Sequence, residues 1–377
     1  MTPVEPARPT PEQFLSLIRR QERGRLKVYL GSSAGVGKTY AMLREGQRLK
    51  AQGVDVAIGI VETHGRVDTA EQIANIEVIP PREIPYRGVT LREMDLDAIL
   101  SRRPTICLVD ELAHTNAPGS KHGKRYQDVE DLLRAGIHVI TTVNVQHLES
   151  LYDEVERMTG VKVKERLPDG VLGEADQIVN IDVSAEDLLE RLKAGKVYPP
   201  ERAERAMANF FTAGNLTRLR ELTLTEMAHL IDRRTRRADA DRAPPSATER
   251  VMVGLSSRSP NAPALLRKAA RLADRLNVPW YAVYIQTPAE DLTKTDAATQ
   301  RVVAKNLELA QGLGGVPMTF RGTDVASTML AFAREYEIRV IVMGRSHRSW
   351  LGRALGGSIL DRLLRDSDGI DVVIADV

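Results

Sequence analysis

Gly35-Val36-Gly37-Lys38-Thr39-Tyr40, inside YLGSSAGVGKTYAML (29–43), is the stretch of this chain with the plainest chemistry. A phosphate-cradling loop reads G-x-x-x-x-G-K-[ST], and Gly37-Lys38-Thr39 fits its end. The first glycine of that pattern is missing: Ser32 holds the position, and Gly31 stands one step earlier. Gly35 and Gly37 would let a turning backbone approach phosphate oxygens, with N–H groups from this stretch pointing inward. Lys38 would bridge β- and γ-phosphate oxygens, and the Thr39 hydroxyl would ligate Mg²⁺. The competing reading is a chance run of small residues before a lysine, and the flanking elements decide between the two.

ICLVDE, about seventy residues further on, ends in Asp110 and Glu111. In a Walker B arrangement Asp110 would hold Mg²⁺ through water, and Glu111 would orient or deprotonate an attacking hydroxyl or water. The ordinary alternative is an apolar strand that ends in acidic residues. Two more strand ends are polar: Glu62, Thr63, His64 and Arg66 after one, Thr142, Asn144 and His147 around another. They could meet the γ-phosphate or the attacking group, or serve as caps and turns. Residues 113–128 form a polar loop with Lys121, Lys124 and Arg125, readable as a source of a charge-stabilising cation, a lid, or a solvated surface. His64, His114, His122 and His147 have no ligand-like spacing on one element, so no transition-metal site is expected. Cys107 reads as a packed, inert thiol.

These residues need a scaffold, and the hydrophobic pattern supplies one. RLKVYL predicts a strand, Gly31 to Gly37 a loop, and KTYAMLREGQRLKAQG a helix stopped by Gly53. VDVAIGIVE (54–62), TICLVDE (105–111) and IHVITTVNV (137–145) predict further buried strands, with helical patterns at 127–135 and 146–159. Continuous apolar strands alternating with helices mean a parallel sheet covered on both faces. A strand before the loop and a helix after it favour the phosphate reading, and ligands of such sheets bind at the carboxyl ends of the strands.

RRTRRADADRAPPSATER (233–250) is charged, carries a Pro pair and has almost no large apolar residue, so it reads as a linker. Beyond it the strand and helix pattern restarts. With 377 residues the chain can hold two cores, and a net charge of +2 gives no reason to expect nucleic acid. One cysteine excludes a disulfide framework and suits a reducing cytoplasm. The start lacks the apolar core of a signal peptide, and no membrane span is expected.

GVGKTYAML, VETHGR, DELAHTNAPGSKHGKRYQDVEDLL and TTVNVQHLESL together resemble the N-terminal region of the KdpD potassium sensor kinases, from about residue 11 to about 230. Usual members have Ala-Ala-Pro where this chain has Ser32-Ser33-Ala34. The resemblance implies ATP and Mg²⁺ as ligands, a cytoplasmic location, and the potassium pump subunits or the potassium-response signalling machinery as partners. It also implies an atypical serine kinase activity towards that pump. Full-length relatives are anchored in the inner membrane and carry a histidine kinase core, which this chain lacks, so the chain is expected to be a natural short form or a truncated one.

Residues 250–377 resemble a universal stress protein domain, whose ATP-binding members carry G-x-x-G, nine residues, then G-[ST]. Here Gly344 is present, His347 replaces the second glycine, and Gly357-Ser358 closes the spacing. That degenerate motif suits a docking or sensing module or a nucleotide site, and in some relatives the domain binds a cyclic dinucleotide, which Arg345, His347 and Arg348 would suit. The expected fold is therefore α/β: a P-loop NTPase-like parallel-sheet domain at 11–232, a linker at 233–249, and a universal stress protein-like α/β domain at 250–377. Two functions stay open: a P-loop serine protein kinase using Lys38, Asp110 and Glu111, or a non-catalytic nucleotide-sensing module that works by domain docking.

Overall fold

Every long apolar run picked out by its pattern is a strand of a parallel sheet. The computed structural model describes residues 23–240, 250–257, 259, 261–276, 278–288, 296–344 and 359–376. They form two compact units. The first holds residues up to His147, Val155–Leu167 and Glu174–Thr223; the second holds Leu148–Glu154, Pro168–Gly173 and residues from Leu224 on. Among the described residues, no helix is long and apolar enough to cross a membrane.

In the first unit the strands are β1 (Leu26–Gly31), β2 (Val56–Ile60), β3 (Glu77–Val78), β4 (Arg82–Tyr86), β5 (Val89–Glu93), β6 (Ile106–Val109), β7 (His138–Asn144) and β8 (Gln177–Ile181). Six of them form one sheet in the order β3-β2-β6-β7-β1-β8, and every pairing in it is parallel. β7 thus separates the strand of the glycine loop from the strand of Asp110, and Gly31 stands level with Asn144. Helix α1 (Lys38–Ala51) lies on one face, where Met42 and Leu43 pack with Tyr29, Ile58, Leu108 and Ile140. The helix comes close because Gly46 has no side chain: a Cβ there would lie 2.6 Å from Leu108.

Several elements lie outside the expected pattern. β4 and β5 form an antiparallel hairpin through Arg87 and Gly88, both at positive φ as a two-residue hairpin turn requires. Its strands carry Pro85 and are mostly exposed, so they show neither an apolar run nor clean alternation. β3 and β8 are short. The helix expected over 146–159 starts only at Tyr152, after two 3-10 turns at Val145–His147 and Glu149–Leu151. A long helix, Ala213–Ala240, runs through the first eight residues of the expected linker, because 233–240 contain no Gly or Pro; the Pro pair lies outside the described residues.

The second unit has its own five-stranded parallel sheet: β9 (Arg250–Leu255), β10 (Trp280–Gln286), β11 (Val316–Arg321), β12 (Ile338–Gly344) and β13 (Asp371–Ala375), in the order β11-β10-β9-β12-β13. Alternate residues of β9 enter opposite apolar clusters, Val251 and Val253 one, Met252 the other, so both faces are covered.

Candidate functional site

The loop after β1 is held open by two left-handed glycines and one buried valine. Gly35 has φ 88° and Gly37 φ 106°, conformations that residues with a Cβ avoid. A Cβ on Gly35 would also lie 2.5 Å from Val197. Val36 points away from the loop's mouth into an apolar cluster with Leu188, Leu192, Val197 and Phe211, which pins the loop from below. Gly31 makes room for it: a Cβ at Gly31 would stand 2.6 Å from the Val36 side chain. The glycine one step early therefore packs the loop entry.

Lys38 opens α1, yet its side chain is only 7 % exposed, and Nζ donates to the Ser33 carbonyl at 2.8 Å. Burial pulls its ammonium down to about 8, against the pull of the Asp110 carboxylate. Thr39 Oγ1 lies 3.2 and 3.1 Å from the two carboxylate oxygens of Asp110, which closes β6 across the sheet. Thr142, on the intervening β7, donates its hydroxyl to Asp110 and accepts the Glu111 backbone N–H at 3.1 Å. Burial raises the Asp110 carboxyl, which is 1 % exposed, against the hydroxyl and N–H groups that bond it. Hydroxyl and carboxylate are the hard oxygen donors that Mg²⁺ takes, so Thr39 and Asp110 fit that ion.

Glu111 is in the left-handed region, φ 54°, which turns its side chain from the strand towards His64, 3.2 Å away. That hydrogen bond holds the Glu111 carboxyl below its usual range and His64 above its own. A cavity of about 280 Å³ gathers Gly35, Gly37, Lys38, Thr39, Asp110 and Glu111 with His64, Arg66, Thr142, Asn144, Gln146, His147 and Glu165. Two residues of the glycine stretch direct their side chains elsewhere, which leaves the backbone N–H contacts expected of them unaffected. Val36 is committed to the apolar cluster and offers the cavity no side chain, and Tyr40 lies 37 % exposed on α1 with the Arg44 guanidinium over its ring.

The basic loop after Glu111 divides its cations. Lys121 pairs with Asp131 and Lys124 donates to Thr115, both at the surface. Arg125 is 1 % exposed: Nη1 donates to the Asp110 carbonyl at 3.0 Å and Nη2 reaches Glu93 at 3.4 Å. It braces the end of β6 from behind and does not face a phosphate. Glu93 also accepts from the Ala117 N–H and from His114. Burial opposes charge on His114, but the carboxylates of Glu165 and Glu93 outweigh it and hold the imidazole up at about 9. Glu93 and Glu165 carry no motif; only the folded chain brings them to His114. His122 pairs with Asp131, apart from the other histidines discussed. Cys107 is fully buried, and burial pushes its thiol up to about 12.

In the second unit Gly344 ends β12. Arg345, His347, Arg348, Gly357 and Ser358 lie outside the described residues.

An α/β unit built on a six-stranded parallel sheet, with a glycine-rich loop between its first strand and helix, followed by a second parallel α/β unit, defines the class of this protein. The family model described as the osmosensitive K⁺ channel His kinase sensor domain, KdpD, matches residues 22–231. The universal stress protein family model matches residues 247–375. The chain belongs to the KdpD family, as its motifs led one to expect. The sensor protein KdpD of Escherichia coli (strain K12) is 45 % identical over 376 residues, which is 98 % of this chain and 41 % of that protein. One from Mycobacterium tuberculosis (strain CDC 1551 / Oshkosh) is 43 % identical, over 96 % of this chain and 42 % of that protein. The putative sensor protein KdpD of Synechocystis is 43 % identical, over 93 % of this chain and 94 % of its own length. The chain thus spans about two fifths of the first two relatives. Among solved structures, a universal stress protein in complex with cAMP aligns with 35 % of this chain and 98 % of its own, at 21 % identity and a TM-score of 0.28. One from Archaeoglobus fulgidus aligns with 33 % and 97 %, at 19 % identity and TM-score 0.28.

Proposed function

We propose that the first unit of this KdpD sensor region binds Mg·ATP at the glycine loop and passes the γ-phosphoryl group to a protein serine, with a potassium pump subunit as acceptor. The observation that carries the reading is the convergence of Lys38, Thr39 and Asp110, from beyond the ends of two strands separated by a third, on one cavity. Loop N–H groups and the positive end of α1 would face the phosphate oxygens, and Lys38 would leave the Ser33 carbonyl for the β- and γ-phosphates. Mg²⁺ held by Thr39 and Asp110 would neutralise charge on the same oxygens. Glu111, at the mouth beside His64, would orient the attacking hydroxyl.

Calorimetry with Mg·ATP tests the binding. The parent chain should bind, and Lys38→Ala should weaken binding by about 10- to 100-fold, as the loss of a charged hydrogen-bonding group does. Equal affinity in both proteins would remove the P-loop reading. Labelled ATP with and without pump subunits then tests the transfer. Binding with no labelled protein would leave the chain as a nucleotide-sensing module.

A further inference from the structure

The same cavity is also lined by Asn144, Gln146, His147 and Glu165, to which the phosphate reading gives no role. His147 closes the 3-10 turn that follows β7, the strand between Gly31 and Asp110. Two bonds tie it to the segment opposite. Its backbone carbonyl accepts the Leu167 N–H at 2.7 Å, and its ring Nδ1 lies 3.1 Å from the Glu165 carbonyl oxygen. A carbonyl can only accept, so Nδ1 carries the ring proton and Nε2 carries the lone pair. The charged groups that face this ring are Lys38 on α1, Glu111 after β6 and Glu165. Burial and Lys38 lower its pKa, which outweighs the two carboxylates and keeps the imidazole neutral near pH 7.

Glu111, the carboxylate that would orient the nucleophile, already has one oxygen engaged by His64 at 3.2 Å. A carboxylate so placed can orient an O–H group, and the Nε2 lone pair of His147 is left to take its proton.

We propose that His147 is the proton acceptor of the phosphoryl transfer, its Nε2 taking the proton of the O–H nucleophile. The nucleophile's oxygen bonds to the γ-phosphorus while the bond from that phosphorus to the β–γ bridging oxygen breaks. The bonding pair leaves on ADP, and the proton passes from oxygen to Nε2. This rests on the reading that Mg·ATP binds at Lys38.

The test uses the whole chain with water as nucleophile. His147→Asn keeps an N–H where Nδ1 stood, and with it the bond to the Glu165 carbonyl, but removes Nε2. Mg·ATP affinity is measured by calorimetry, and phosphate release is followed from pH 5.5 to 9. The expected result is an affinity within about twofold of the parent and a kcat lower by about 100-fold. The parent's fall of kcat on the acid side should also vanish in the variant. A variant with parental kcat and an unchanged acid limb overturns the proposal. So does one whose affinity falls in step with its turnover, because His147 is then part of the framework. A parent that binds Mg·ATP but releases no phosphate overturns the role of His147 alone, whereas a parent that binds none removes the nucleotide reading itself.

Discussion

Glu111 shares a hydrogen bond with His64 and touches neither Lys38 nor Thr39 through any recorded bond, so its contribution to binding and to chemistry can be separated. Glu111→Gln keeps the shape and an oxygen for His64 but loses the charge. Mg·ATP affinity should stay near the parental value, because the loop, Lys38, Thr39 and Asp110 are untouched. Turnover should drop by roughly 100-fold if the carboxylate orients the nucleophile. Affinity and kcat measured on one preparation decide it; a joint loss would make Glu111 part of the metal shell. Residues of this kind were legible in the sequence because type and local spacing carry their chemistry. Lys38 must follow the glycine loop, and Asp110 must end an apolar strand. His147 was visible only as a polar residue beyond a strand, since its tautomer depends on the Glu165 carbonyl, eighteen residues away. Val36 and Tyr40 were assigned to the ligand through the backbone of the motif, and their side chains serve the core and the surface.

Elements are joined behind the site by charge. His114 sits between Glu93, which ends β5, and Glu165, on the segment that also holds His147. Its folded pKa of about 9 stands above the ordinary 6.5, so its stabilising effect is complete below pH 6.5 and is lost as pH rises through 9. Glu165 is the reverse, held down at about 2 against an ordinary 4.5, so its effect is complete above 4.5 and fades as pH falls towards 2. The two overlap fully between pH 4.5 and 6.5. His114→Gln, which never charges, should therefore cost most in that window, no more than about 3 kcal/mol, and close to nothing above pH 9. Denaturant unfolding of parent and variant across pH reads the difference; a gap that is flat with pH would show that packing, not charge, is what His114 supplies. The sheet that carries these groups was legible because parallel strands buried on both faces are apolar along their whole length. The hairpin that delivers Glu93 was not. Its exposed strands have no core side to record, and its partners lie far away in sequence.

At the scale of the whole molecule, each unit has its own parallel sheet and its own apolar clusters, so each has the makings of a separate cooperative unit. The tryptophans divide the signals. The chain has two, Trp280 and Trp350, both beyond the restart of the pattern at residue 250. Trp280 begins β10, 4 % exposed, against Gly315, where a Cβ would lie 2.5 Å from its ring. Tryptophan emission therefore follows the unfolding of the second unit, whereas far-UV circular dichroism follows both. A ligand stabilises only the folded unit that binds it, by about 2.7 kcal/mol at a hundred times its Kd. If the nucleotide site is the one at Lys38, saturating Mg·ATP should move the first unit's transition in the dichroism to higher temperature and leave the tryptophan transition where it was. Lys38→Ala should abolish that movement. A tryptophan transition that shifts in Lys38→Ala as well would mean that the second unit binds nucleotide itself. One that shifts only in the parent would mean that the two units unfold together, and that occupancy of the first is transmitted to the second.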